Sequence, residues 1–150
     1  MRASTSTMIR ASPERVFQIL HDYGRRLEWD TLLERAEILG GATAAGVGVR
    51  TLCVGRGIPM ETVYVSFVPG KVAAVKLVAP QRPFETFAAT IRHEPAGDGA
   101  SRVTYIYSFS TRPGWLSPIV NVPLWFETRR RLSALKRYVE SLSATPSPGR

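Results

Sequence analysis

The sequence predicts an α+β fold in which a curved, seven-stranded antiparallel sheet wraps around a long C-terminal helix, with two short helices after the first strand. Short apolar segments alternate with turn signals between residues 34 and 111, which is typical of consecutive antiparallel strands. A helix signal precedes this region, and one apolar stripe with helical spacing follows it. Because each apolar face can be buried only against the other, sheet and helix must pack together.

The length of 150 residues fits one domain, which we assign to residues 1–142, followed by a disordered tail at residues 143–150. Hydrophobic residues make up 44% and charged residues 21%, as in globular proteins. The single cysteine, Cys53, excludes an intramolecular disulfide, and we expect a small buried hydrophobe there. The sequence shows no signal-peptide h-region and no apolar run long enough for a membrane span, so a cytoplasmic location is expected.

The net charge is +8, and 17 of the 20 basic residues are arginine. Such a balance permits binding to nucleic acid or to anionic membranes. No nucleic-acid motif accompanies it, so no nucleic-acid partner is expected. The three arginines at residues 129–131 predict at most weak contact with an anionic membrane, without stable insertion. His21 and His93 stand too far apart in sequence to suggest a metal, and we expect neither a metal nor a cofactor.

The N-terminal elements follow from local signals. The Ser- and Thr-rich pattern of residues 3–10 predicts a first strand. Ser12-Pro13-Glu14 then predicts a helix start, because serine caps free N–H groups, proline suits the first turn and glutamate suits the positive helix end. The apolar stripe of this helix consists of Val16, Ile19 and Leu20. A second short helix is predicted to end near Trp29.

Six further strands are predicted at residues 34–39, 46–55, 59–68, 71–79, 84–94 and 102–111. Pro69-Gly70 predicts a type II turn, because proline presets φ and glycine accepts a positive φ. In the last strand, Val103, Tyr105, Tyr107 and Phe109 alternate with mostly polar residues and form an aromatic face.

The C-terminal helix is predicted to begin at Ser117-Pro118, where Pro123 would then lie inside it, or at Asn121. Its apolar stripe consists of Leu124, Trp125, Thr128, Leu132, Leu135, Val139 and Leu142. A sheet that wraps a helix leaves space near the helix start, and we expect a cavity there.

Several motifs in this order resemble one known family. They are residues 11–17 (ASPERVF), Trp29-Asp30, Gly46-Val47-Gly48, Glu61-Thr62-Val63, residues 102–105 (RVTY) and residues 132–140. The chain is similar to the START-like or SRPBCC superfamily, and its texture resembles bacterial polyketide cyclase/dehydrase-like proteins, although Thr31 stands where that family often has proline. The resemblance implies a helix-grip fold with a deep cavity for lipids, polyketides, quinones or other hydrophobic molecules. Some relatives are cyclases or aromatases.

Twelve residues are candidates for ligand contact, with core packing as the alternative for the aromatic ones. Trp115, in the Pro-Gly loop before the helix, is a candidate for the lid or mouth. The twelve are Trp29, Val63, Val65, Phe67, Phe87, Ile91, Tyr105, Tyr107, Phe109, Trp115, Trp125 and Thr128.

The first candidates for catalysis are Glu61, Arg50, Tyr105 and Tyr107. An inward Glu61 would have a raised pKa and could act as a general acid or base. An inward Arg50 could hold a carboxylate or enolate oxygen. For both residues a solvated position on the outer face of the sheet is favoured, because buried charges are rare, and for Arg50 strand parity does not decide.

Three functions are compatible with this pattern. Binding or transport of a hydrophobic small molecule is favoured, because no recognisable catalytic set is present. An enzyme of the polyketide cyclase, aromatase or dehydratase type is the alternative. A protein-interaction module without a small ligand is the third, and it requires a closed interior and an exposed apolar patch. A monomer or a homodimer is expected.

Overall fold

The computed structural model describes residues 1–144, with side chains up to Leu142. Its three α-helices are α1 (Pro13–Leu20), α2 (Arg26–Trp29) and α3 (Ser117–Ala144), and a 3-10 turn at Gly114–Leu116 leads into α3. The strands are β1 (Arg2–Ile9), β2 (Leu33–Ile38), β3 (Arg50–Gly55), β4 (Ile58–Val68), β5 (Val72–Leu77), β6 (Phe84–Pro95) and β7 (Ser101–Thr111).

The seven strands form one antiparallel sheet in the order β1-β7-β6-β5-β4-β3-β2. Neighbours in sequence are neighbours in the sheet except at β1, which pairs with β7. Each remaining connection is therefore a turn or a short loop, as the spacing of the turn signals predicts. The predicted α+β fold, a seven-stranded sheet with one long C-terminal helix, is confirmed.

Most strand boundaries lie within two residues of the predicted ones, and the largest difference is at the start of the third strand. The third strand begins at Arg50 rather than at residue 46, because Gly48 adopts a φ of +83° that interrupts extended backbone. Helix α3 begins at Ser117 and continues through Pro123 to Ala144. The predicted tail therefore contributes its first two residues to the helix, and residues 145–150 lie outside the described part of the chain.

Helix α1 forms where its sequence signals indicate. The Ser12 hydroxyl accepts a hydrogen bond from the Arg15 N–H at 3.2 Å, and Pro13 occupies the first turn. The buried face of α1 packs against the C-terminal half of α3 and the edge of the sheet. The core cluster there includes Ile9, Val16, Ile19, Leu20, Val103, Leu132, Leu135 and Val139. Burial of each large side chain contributes about 1.5–3 kcal/mol.

A β-bulge in β4 decides which of its residues face the helix. The pairing with β5 shifts register between Tyr64 and Ser66. Before the bulge, Met60, Thr62 and Tyr64 point to the concave face. After the bulge, Phe67 returns to that face and packs on Tyr64 and Phe17. In a regular strand, Phe67 would lie on the same face as Val63 and Val65. Because of the bulge, it lies on the opposite face.

Both histidines lie in an aromatic cluster under α1. The His21 ring lies 4.5 Å from Phe17 and 6.4 Å from His93 between ring centroids. Both ring nitrogens of His93, and Nε2 of His21, are buried without a hydrogen-bond partner among the described residues. Burial lowers the pKa of His93 to about 4. Burial, with added repulsion from Arg26 and His93, holds the pKa of His21 well below its usual value.

These lowered pKa values predict a pH-dependent stability. In the unfolded chain both histidines titrate near pH 6.5, so below that pH the unfolded state binds more protons than the folded state. The free energy of unfolding should be fully retained above pH 6.5. It should fall as the pH falls towards 4, by about 1.4 kcal/mol per pH unit for each histidine.

Urea unfolding between about pH 7 and pH 4.5 measures this slope. In His93→Phe the ring contact with Phe17, at 5.1 Å, is retained and one titrating group is removed. The slope should then fall to about half. An unchanged slope in this variant would show that His93 is not held neutral.

Candidate functional site

A cavity of about 390 Å³ lies between the concave face of the sheet and the first half of α3. Binding sites for small molecules usually measure about 300–1,000 Å³, so this volume suits one small ligand. Most of the wall is apolar. Its apolar residues include Leu32, Leu33, Ile58, Met60, Val75, Phe84, Phe87, Ala89, Ile91, Val120, Pro123 and Leu124.

An ion pair joins the two sides of the cavity at its solvent-exposed edge. Arg56, at the tip of the β3–β4 hairpin, pairs with Glu127 on α3, and both line the cavity. Arg130 approaches the same Glu127 carboxylate at 3.6 Å. Because Arg56 is 68% exposed, this contact adds little stability. It places the hairpin tip over the helix at the mouth of the cavity.

The opposite, inner end of the cavity carries a chain of hydrogen-bonded side chains. His21 Nδ1 lies 2.8 Å from the Tyr64 hydroxyl, and the Tyr64 hydroxyl lies 3.0 Å from that of Tyr23. A proton on Nε2 of His21 would leave a buried N–H without a partner, which costs more than an unused acceptor. The favoured arrangement therefore has His21 donating to Tyr64 and Tyr64 donating to Tyr23, which lines the cavity and whose own O–H has no acceptor among the described residues.

Beside this chain, one buried carboxylate holds two guanidinium groups. Asp30 Oδ2 accepts from Arg26 Nε at 2.9 Å and from Arg131 Nη2 at 3.0 Å and Nε at 3.2 Å. Arg26 also donates to the Leu20 carbonyl and lies over the Tyr23 and Trp29 rings. Burial opposes ionisation of Asp30, but the charges of Arg131 and Arg26 outweigh it and lower the pKa of the carboxyl. The group is therefore an ionised carboxylate between two cations.

Of the twelve predicted ligand residues, the structure places Phe87, Ile91 and Tyr105 in the cavity wall. Trp29 and Thr128 lie beside it, at a void of about 10 Å³ that also touches Arg26 and Arg131. Contact of these five residues with a ligand stays a prediction.

The remaining predicted ligand residues lie elsewhere. Tyr107 donates its hydroxyl to Asn121 Oδ1 at 2.8 Å, and Phe109 packs on Phe84 within the core. Trp125 donates its indole N–H to the Ser4 carbonyl at 3.3 Å, and Trp115 is exposed on the surface. These four side chains are not among those that line this cavity, and their contact with a ligand stays a prediction.

The candidates Val63, Val65 and Phe67 would contact a ligand only if their shared face of β4 lined the cavity, and the structure does not place it there. Val63 and Val65 point to the convex face, opposite Met60, Thr62 and Tyr64 in the cavity wall. Phe67 faces inward but belongs to the aromatic cluster under α1 rather than to the cavity. The sequence did not decide this, because β4 carries apolar residues on both faces, so hydrophobicity alone does not fix its parity.

Two of the four catalytic candidates lie outside the cavity on the convex face. Arg50 Nη1 lies 3.3 Å from Glu61 Oε2, and the side chains are 52% and 37% exposed. The structure therefore shows the solvated position for both residues: they pair with each other on the surface and do not line the cavity. Tyr105 lies in the cavity wall, whereas the Tyr107 hydroxyl is bound to Asn121. Cys53, expected to be fully buried, is partly exposed and also lines the cavity.

Sequence reasoning missed the polar end of the cavity. Arg131 follows Leu124 by seven residues and precedes Leu135 by four, so it interrupts the apolar stripe of α3 with a charge. Arg26 and Asp30 stand four residues apart, the spacing of a helical ion pair. These two signals together could have located the charged cluster. Nothing in the sequence brings Tyr64 to His21, because 43 residues separate them.

Within the described part of the chain, no helix is long and apolar enough to cross a membrane. No group of three or more His, Cys, Asp or Glu side chains comes together there as a metal site.

Solved structures with the same fold are numerous. A START superfamily protein from Mycobacterium smegmatis superposes with a TM-score of 0.79 at 15% identity, over 94% of this chain and 98% of the other. The Zhui aromatase/cyclase from Streptomyces sp. R1128 superposes with a TM-score of 0.78 at 14% identity, over 93% of each chain. At these identities the likeness shows the fold alone.

A third similar structure is the di-domain aromatase/cyclase BexL from the BE-7585A biosynthetic pathway. It superposes with a TM-score of 0.74 at 14% identity over 97% of this chain, which spans about half (48%) of that protein's length. No curated protein sequence matches the chain. A family model described as "Polyketide cyclase / dehydrase and lipid transport" matches residues 1–140. The helix-grip fold and the apolar cavity are consistent with this match. The chain belongs to the polyketide cyclase/dehydrase and lipid transport family.

Proposed function

We propose that the protein reversibly binds a hydrophobic small molecule in the cavity under α3 and acts as its carrier. The observation that carries this proposal is a cavity of about 390 Å³ whose wall is apolar except at one end and at the mouth. Apolar surface left without contacts loses dispersion and hydrophobic stabilisation, which a ligand of matching shape restores. The Arg56–Glu127 pair is exposed and adds little stability, so ligand passage beneath it costs little.

Binding is favoured over acid–base catalysis by the protonation states at the inner end. A general base must accept a proton near neutral pH, whereas burial and the Arg26 charge lower the pKa of His21 and make it a weak base. A general acid must release one, whereas burial raises the pKa of Tyr64 far above its usual value. These groups suit hydrogen bonding to a ligand. The cyclase or dehydratase alternative would have to use the other titratable side chains of the cavity wall, among them Tyr23, Tyr105 and Glu127.

Filling the cavity should abolish ligand uptake. Ala89 faces the cavity from β6 and is 3% exposed, so Trp in Ala89→Trp occupies the space of the ligand. Uptake of the fluorescent apolar probe N-phenyl-1-naphthylamine should weaken by at least about tenfold. Ala88→Trp is the matched control, because Ala88 lies on the exposed face of the same strand, and its affinity should equal that of the unchanged protein. Equal affinity in both variants would place the probe outside the cavity.

A separate surface feature supports contact with an anionic membrane. Four large apolar side chains form an exposed stripe at helical spacing beside the mouth: Trp115 (68% exposed), Ile119 (61%), Val122 (59%) and Phe126 (57%). Arg112, Arg129 and Arg130 are exposed near its two ends. Aromatic and aliphatic side chains flanked by arginine suit the boundary between acyl chains and anionic head groups. We infer that this stripe docks weakly on anionic bilayers.

Vesicle sedimentation tests the docking. The protein should bind vesicles of phosphatidylglycerol and phosphatidylcholine more tightly than pure phosphatidylcholine, and the double variant Trp115→Ser/Phe126→Ser should lose most of this binding. Val47→Ser removes an equally exposed apolar residue elsewhere and should bind like the unchanged protein. Equal binding by the double variant, or no vesicle binding together with a doubled mass in solution, would contradict membrane docking. The second outcome would assign the stripe to a homodimer interface. A cytoplasmic location stays a prediction.

A further inference from the structure

We infer that the inner end of the cavity binds the anionic oxygen group, such as a carboxylate, of an otherwise apolar ligand. The inference rests on the proposed function and adds the chemical class of the ligand. It is carried by the unequal charges around Asp30 and by the direction of the hydrogen bonds at Tyr23.

The charges at this end do not balance. Arg26 and Arg131 share one carboxylate, that of Asp30, and their side chains are 8% and 16% exposed. Asp30 lies behind the wall, and Glu127, the acidic residue among those that line the cavity, is paired with Arg56 at the mouth. One guanidinium charge is therefore in excess at the inner end, where an uncompensated buried charge is costly. A bound anion would compensate it.

Asp30 has little capacity left to satisfy both cations. Its Oδ2 already accepts from Arg26 and twice from Arg131, and its Oδ1 accepts from the Leu32 N–H at 3.2 Å. Each guanidinium group carries five N–H donors in a planar fork that matches a carboxylate. The two arginines line the cavity, so their remaining donors are available to a ligand oxygen there.

The neighbouring hydroxyl adds a donor from a third direction. If His21 donates to Tyr64 and Tyr64 to Tyr23, the Tyr23 O–H has no acceptor among the described residues, and Tyr23 lines the cavity. The Arg26 guanidinium carbon lies 5.6 Å from the Tyr23 ring centroid, so hydroxyl and cation belong to one site. Two cations and a donating hydroxyl favour an acceptor-rich, anionic group at this end, and the apolar wall favours an apolar remainder of the molecule.

A matched pair of probes tests the inference. Decanoate and 1-decanol share the same alkyl chain and differ at the head group, and each is titrated calorimetrically into the full-length protein. Decanoate should bind at least about tenfold more tightly than 1-decanol, because a charge-assisted contact replaces a neutral one. Displacement of N-phenyl-1-naphthylamine by both probes shows that they occupy the cavity.

Three variants show which side chains cause the preference for decanoate. Arg131→Met leaves Asp30 paired with Arg26 and should bring decanoate to the affinity of 1-decanol, while uptake of the neutral dye persists. Tyr23→Phe, which removes one hydroxyl without changing charge, should weaken decanoate several-fold. Arg137→Met removes the same charge from the exposed face of α3 and should leave the preference unchanged. It separates local recognition from the general attraction of a basic protein for anions.

The outcomes separate this inference from the proposed function. Equal affinity for both probes, with dye uptake intact, would overturn the anion site and leave the apolar carrier standing. A preference that is lost equally in Arg137→Met would also overturn it. If neither probe nor the dye binds, the proposed function fails and the anion site fails with it. Circular dichroism of each variant shows that an affinity change does not reflect unfolding.

Discussion

The carboxylate of Asp30 marks the boundary between core and cavity. Through Oδ2 it ties α2, by way of Arg26, to the middle of α3, by way of Arg131. On the C-terminal side of that contact, Leu132, Leu135 and Val139 close the core against α1 and the sheet. On the N-terminal side, Leu124 and Glu127 face open space. Removal of Asp30 would leave two buried cations without a partner, and breaking such buried networks typically costs about 3–5 kcal/mol. One buried ionic contact thus positions the helix that roofs the cavity.

The cavity is a geometric consequence of covering seven strands with one 28-residue helix. The packed half of α3 lies over β1 and β7 at one edge of the sheet, with α1 filling the gap beside it. No second long helix among the described elements covers β3, β4 and β5, so their concave side chains form a wall instead of a core. Close packing is the normal state of a protein interior, and an apolar space of this size is therefore best explained as a ligand site.

The sequence was sufficient for the architecture and insufficient for the site. Caps, turns and periodicity fix α1, the Pro69-Gly70 turn and the aromatic inward face of β7, because each depends on neighbouring residues alone. The inward face of β4 could not be predicted, because both of its faces are apolar and a bulge changes which residues face inward within the strand. The polar end of the cavity was missed because Tyr64, His21, Asp30 and Arg131 meet only through tertiary packing. Arg131 in an apolar stripe and the four-residue spacing of Arg26 and Asp30 were its visible traces in the sequence.

Native mass spectrometry of the protein purified gently from its own cells shows whether the cavity carries a ligand. We expect an added mass that fits one small, mostly apolar molecule with an acidic oxygen group, released by organic extraction and identified in the extract. The chain mass alone, with no molecule in the extract and no uptake of apolar compounds afterwards, would contradict it. The cavity would then be a packing defect of the fold, and function would have to be sought on the exposed stripe of α3.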